Sequence, residues 1–263
     1  MVQAGNIETL VIHSESLPFR VEIASDAHMD GVLQLRAASY GKHLPELGAK
    51  LRESEAADFD TGSEVFVATS KFDGSVLGTL RTHANILKPL PLQQSLQLPN
   101  RFHGSRMVET TRLCVKGSSH SSVVRSALFK ALHRYCLDQN VDWMMAAGRR
   151  PVDRIYDSLH FQDVGEARGF YPMAHASGVP HRVMCLDPQA AQSIWLHSQH
   201  NLYRFVFEVQ HPDIDLSGAK SIRFNWQCPA GPATLGLVQP VQPVQGAAMS
   251  AKQDSSALAT LAH

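Results

Sequence analysis

The chain has 263 residues, 44% of them apolar and 18% charged, with 24 Lys and Arg matched by 24 Asp and Glu. That length and balance describe one sizeable folded domain with appendages and exclude a chain disordered throughout. Net neutrality removes any global case for nucleic-acid or anionic-membrane binding, and the scattered Cys114, Cys136, Cys185 and Cys228 form neither a metal-type pair nor a disulfide framework.

Residues 1–18 read as an N-terminal extension that lacks the basic start and long apolar run of a secretory signal. No stretch approaches the roughly 20 apolar residues of a membrane span, so a cytoplasmic chain without a transmembrane segment is expected. Phe19 to Ile23 alternates apolar and polar and leads into Ser25-Asp26, the pattern of a strand followed by a helix cap, and His28 to His43 reads as the helix. Glu64 to Thr69 and Ser75 to Arg81 are strand-like runs joined by Phe72-Asp73-Gly74, a hairpin turn. Arg106 to Val115 is a third strand, followed by a polar loop from Lys116 to Ser122 and an amphipathic helix marked by Val124, Leu128, Leu132 and Tyr135.

Asp142 to Ala147 reads as a further strand, Pro151 to Leu159 as a helix with proline in its first turn, His181 to Leu186 as the last strand and Pro188 to Phe205 as the last helix. This order predicts an α/β domain over residues 19–227, a mixed twisted sheet with helices on both faces. From residue 228 the Pro-, Gln- and Ala-rich composition reads as a disordered tail.

Regular alternation puts Met107, Glu109, Thr111, Leu113 and Val115 on one face of the third strand, with Arg112 on the other. Glu109 then lies among apolar neighbours, where it is either a carboxyl of raised pKa suited to proton transfer or a structural partner of an arginine. Only a bulge would let Glu109 and Arg112 meet, so Arg81, at the end of the preceding strand, is the better placed partner for Glu109 or for a substrate carboxylate; the alternative is an arginine in solvent. Arg36 and Tyr40 share a helix face, and Asp58, Asp60 and Glu64 crowd the segment before the hairpin; each group suits a polar substrate or ordinary surface. The Lys116–Ser122 loop sits where free helix N-terminal amides attract phosphate, although it lacks the glycines of a nucleotide loop. His197 and His200 have no ligand-spaced partners, so no metal is expected. Between Arg101 and Arg154, ten Lys and Arg stand against four Asp and Glu, an excess that either recognises an acidic partner or is a solvated face.

The ordered series Arg36-x-x-x-Tyr40, Asp58-x-Asp60, Gly78-Thr-Leu-Arg81, Glu109-x-x-Arg112-Leu-x-Val115 and Arg125 resembles the N-acyl amino acid synthase catalytic core over residues 20–190. That family is related to acyl-homoserine-lactone synthases and to GNAT acetyltransferases, so the resemblance implies a GNAT-like fold and transfer of a long-chain fatty acyl group from acyl carrier protein to the amine of an amino acid. It implies Glu109, Arg81 and Arg112 as catalytic residues and Arg36, Tyr40, Asp58 and Asp60 as substrate-binding ones. Val115, Lys116, Gly117, Ser122 and Arg125 would hold the acyl-phosphopantetheine donor, and Lys130, Arg134, Arg149 and Arg150 would form the carrier-protein patch. No permanently bound cofactor is implied; acyl carrier protein is the expected donor, ahead of acyl-CoA. The turn departs from the glycine-rich pattern of acetyl-CoA-dependent relatives, and no tryptophan follows Tyr40 before Trp143, as one does in the homoserine-lactone branch. A homoserine-lactone synthase, a general acyl-CoA-dependent acetyltransferase and a non-catalytic carrier-binding module are the alternatives.

Overall fold

The computed structural model describes residues 14–118 and 120–224. The Phe19–Ile23 strand (β1) pairs antiparallel with Ser63–Ser70 (β2), β2 with Val76–Ala84 (β3), and β3 with Met107–Val115 (β4). β4 then pairs in parallel with Trp143–Gly148 (β5), the geometry that needs a crossover rather than a hairpin. Short strands Gln162–Asp163 (β6) and Phe170–Pro172 (β7) both pair with Pro180–Leu186 (β8), which lies beside β5. Ile214–Asp215 (β9) runs parallel to β1, so the sheet order is β6-β8-β5-β4-β3-β2-β1-β9.

Helices cover both faces, as the alternating pattern predicts. Asp26–Gly41 (α1), with Ser25 as its N-cap, lays Val32 on Val65 and Val67 of β2, while the six-residue Pro45–Lys50 helix (α2) packs beside it. Ser121–Asp138 (α3), the crossover helix, covers the opposite face, where Val124, Leu128 and Tyr135 meet Phe66, Ala68 and Leu80. Phe66 and Tyr135 make an edge-on ring contact at 5.4 Å. Gly78 lets α3 approach this closely, since a Cβ there would stand 2.7 Å from Val124 Cγ1.

Two expected helices change. Pro151 precedes the Asp153–Ser158 helix (α4) instead of opening it, and Asp153 supplies the acidic first turn that favours a helix N-terminus. The run Pro188 to Phe205 holds only Ala191–His197 (α5), because the chain turns through Gln199 at φ 52° before a π-type turn at Arg204–Glu208. The long β3–β4 connection carries 3-10 turns at Pro91–Gln94 and Asn100–Phe102, and Leu92 and Phe102 of these turns, with Leu98 between them, form a second core with Met107, Met145 and Met173. Among the described residues, no helix is long and apolar enough to cross a membrane. The expected tail from residue 228 and residues 1–13 of the expected extension lie outside the described residues.

Candidate functional site

A bulge in β4 organises the site. Arg81 faces Thr111 and Thr79 faces Cys114, so Leu80 alone opposes Arg112 and Leu113. Arg112 takes φ 54°, a conformation uncommon outside glycine and characteristic of sites that hold backbone strain. The extra residue reverses the alternation beyond it. Val115, and with it Leu113, packs into the α3-side core, whereas the sequence pattern put both on the face of Glu109. The Val115 side chain is 3% exposed and faces that core, which leaves its main chain as the part that could meet a donor. Arg112 is carried instead to the side of Arg81.

There the two arginines share one carboxylate. Arg112 Nε and Nη2 donate to Glu55 Oε2 and Oε1 at 2.7 and 2.6 Å, and Arg81 Nη1 donates to Glu55 Oε2 at 2.9 Å. Arg81 Nη1 also donates to Asp58 Oδ1 at 2.9 Å, and Arg36 Nη1 reaches the same oxygen at 2.8 Å. Burial alone would raise the Glu55 carboxyl, but Arg112 and Arg81 hold it at about 2; Arg36 and Arg81 likewise outweigh burial at Asp58 and lower it. Tyr40 lies with its ring 5.4 Å from the Arg112 guanidinium carbon, so Arg36, Tyr40, Asp58, Arg81 and Arg112 do converge. Asp60 stands outside this network, paired with Lys88 nearer the surface. Glu64 points to the other face, where it accepts the Lys220 amide at 2.8 Å.

Glu109 is fully buried and forms no ion pair with either arginine. The Leu92 amide donates to its Oε2 at 2.9 Å, while Oε1 has no hydrogen-bond partner. Burial raises this carboxyl to about 8 against the pull of the Leu92 amide, so it is largely protonated at neutral pH. Its cross-strand neighbour His83 accepts Arg81 Nε–H at 3.1 Å through Nε2, which assigns the ring proton to Nδ1, 3.1 Å from Ser63 Oγ. Burial and Arg81 keep that imidazole neutral, at about 3.

Pairing of β4 with β5 ends at Thr110 and Ala146. Beyond it, Thr111, Arg112, Arg149, Tyr156, Ala176 and His181 line a narrow cleft of about 60 Å³. Glu55, His83, Tyr156 and His181 were not singled out in the sequence. Glu55 carried a usable signal, because Glu55-x-x-Asp58 has the spacing of a reciprocal helix cap, and the Glu55 amide does donate to Asp58 Oδ2 at 2.9 Å.

At the other end of β4, Lys116, Gly117, Ser122 and Arg125 surround the start of α3 as the loop position predicts. The basic patch is altered. Lys130 is 3% exposed and donates to the carbonyls of Phe205 and Val209, at 2.8 and 2.6 Å, and lies 2.8 Å from His211 Nδ1. Arg134 donates to the Ile214 carbonyl at 3.2 Å. Both side chains tie down the C-terminal segment instead of forming open surface. Arg150 is exposed, over the Phe170 ring at 4.9 Å, and Arg149 is half-buried at the cleft.

The family model described as N-acyl amino acid synthase FeeM matches residues 31–184, more than half of the chain. Among solved structures, the chain is similar to FeeM, an N-acyl amino acid synthase from uncultured soil microbes, with 15% identity over 69% of this chain and 97% of that one and a TM-score of 0.53. It is also similar to BjaI, a CoA-dependent acyl-homoserine lactone synthase solved with MTA, with 14% identity over 77% and 95% of the two chains and a TM-score of 0.52. Among curated proteins none matches the sequence. At these identities the structural likeness speaks for the GNAT-type fold, and the family match carries the assignment: the chain belongs to the N-acyl amino acid synthase FeeM family and is an N-acyltransferase.

Proposed function

We propose that the enzyme moves a long-chain fatty acyl group from the phosphopantetheine thioester of an acyl carrier protein to the amine of an amino acid. The observation that carries the acceptor is the charge of the buried network. Arg36, Arg81 and Arg112 bring three positive charges, while Glu55 and Asp58 return two and Glu109 is largely protonated. One positive charge is left over beside the cleft, and a carboxylate on the acceptor would balance it. The donor arm would follow the β4–β5 cleft, with its phosphate at the Lys116–Arg125 turn and its carrier on the face bearing Arg149 and Arg150. Ligand pockets commonly reach roughly 300–1,000 Å³, so the narrow cleft must widen to admit an acylated arm.

The thioester is already activated, so positioning supplies much of the catalysis. Glu109 accepts the ammonium proton in its ionised form, directly or through water, and its unpartnered Oε1 is the atom an incoming amine would satisfy. Main-chain amides on the β4 edge released from β5 stabilise the oxyanion.

Competition between L-tyrosine and tyramine, which differ by the carboxylate alone, tests the acceptor. With dodecanoyl-acyl carrier protein as donor, kcat/KM for tyrosine should exceed that for tyramine by about 10² or more, since losing one charge-assisted pair in a buried site costs some 3 kcal/mol. Equal values would remove the carboxylate from the account.

A further inference from the structure

Aminolysis of a thioester by an ammonium acceptor removes two protons from nitrogen. The first leaves before attack, and the second leaves as the tetrahedral adduct collapses, when the C–S bond breaks and sulfur departs with the electron pair. Glu109 accounts for the first and, having taken it, is a neutral acid, so the second needs another group.

His181, on β8, lines the cleft together with Thr111 and Arg112. Its Nδ1 lies 2.7 Å from the Val179 carbonyl, an acceptor only, so the ring proton sits on Nδ1 and Nε2 holds the lone pair. The other ionisable groups around it are Tyr40 from α1, Arg112 from β4, Arg149 after β5 and Tyr156 from α4. His175 stands on its own hairpin with ring centroids 6.4 Å apart. The guanidiniums do not exchange protons near neutrality. Both phenols are pushed above their ordinary range by burial, so giving a proton to an alkyl thiolate of ordinary pKa is uphill for them. Among the residues lining the cleft, an imidazole is the group that both takes and returns a proton at this pH.

We propose that His181 carries the second proton from the acceptor nitrogen to the departing sulfur. Nε2 takes the N–H proton as the C–S bond breaks, the imidazolium returns it to the thiolate, and amide and free thiol result with His181 restored. Burial keeps the ring below its ordinary range against the pull of the Val179 carbonyl, with Arg149 and Arg112 acting in the same direction as burial, so Nε2 starts unprotonated. The proposal rests on the acyl-transfer reading above.

Leaving-group dependence tests it. The donors are dodecanoyl-pantetheine and dodecanoyl p-nitrothiophenyl ester, whose thiolate needs no proton, with L-tyrosine as acceptor and H181N, which keeps an N–H near the Val179 carbonyl. H181N should lose about 10²-fold in kcat with the pantetheine donor, the scale of general acid–base assistance, and only a few-fold with the aryl ester, where the C–S bond breaks without a proton and the strongly acidic N-protonated amide yields its proton to water. H181Q serves if H181N melts early, and Y156F is the control. Equal losses with both donors, or a leaving-group-dependent loss in Y156F and not at position 181, would overturn the proposal. Failure of the wild type to acylate tyrosine from either donor would instead bring down the acyl-transfer reading, and the proposal with it.

Discussion

At Glu109 one carboxyl carries both a stability effect and a rate effect. Its folded-state pKa lies near 8 against an ordinary 4.5, so between these values the native state holds a proton that the unfolded chain has released. Stability linked to this group is therefore fully present below about pH 4.5 and is lost as pH rises toward 8. E109Q, a neutral side chain of the same shape, should remove that slope, so its melting temperature relative to wild type should climb from pH 5 to pH 8. A parallel pH dependence in the two proteins would place Glu109 in a more hydrated setting. The same variant should slow acyl transfer by about 10²–10⁴-fold with KM for the donor unchanged, and wild-type turnover should rise as pH approaches 8. Normal turnover in E109Q would make the residue structural.

Among elements, β4 and α3 show what a pattern of residue types can and cannot reveal. Alternation located β4 and put Glu109 on one face with Met107, Thr111, Leu113 and Val115, and helical spacing located α3 and its buried face. Alternation carries no mark for an inserted residue, so the bulge at Arg112, the turning away of Val115 and the shared grip on Glu55 emerged only in three dimensions. Local charge counting failed at Lys130 for a related reason. Its partners Phe205, Val209 and His211 lie some 75 to 81 residues away along the chain. Lys130 closes the end of the π-type turn, a place where main-chain carbonyls lack internal partners. K130M should keep the apolar stem and strand those acceptors, lowering unfolding free energy by about 1–3 kcal/mol in denaturant titration. Unchanged stability would mean that the C-terminal segment is held by its apolar contacts alone.

For the whole molecule, neutrality conceals a local basic face, and with Lys130 and Arg134 occupied internally the open cations near the cleft include Arg150 and Arg154. On the proposed reading, an acidic carrier approaching this face would be steered over about a Debye length, roughly 10 Å at 0.1 M salt. R150E with R154E should raise KM for dodecanoyl-acyl carrier protein, the more so at low salt, and leave KM for dodecanoyl-pantetheine nearly unchanged. Equal shifts with both donors would take the carrier off this face. The most direct test of the central claim is mass spectrometry of lipid extracts from bacteria expressing the chain and its E109Q variant. A new long-chain N-acyl amino acid should appear with the wild-type chain and fall to trace with E109Q; acyl-homoserine lactones alone, or no acylated amine at all, would contradict the assignment of an amino-acid acceptor.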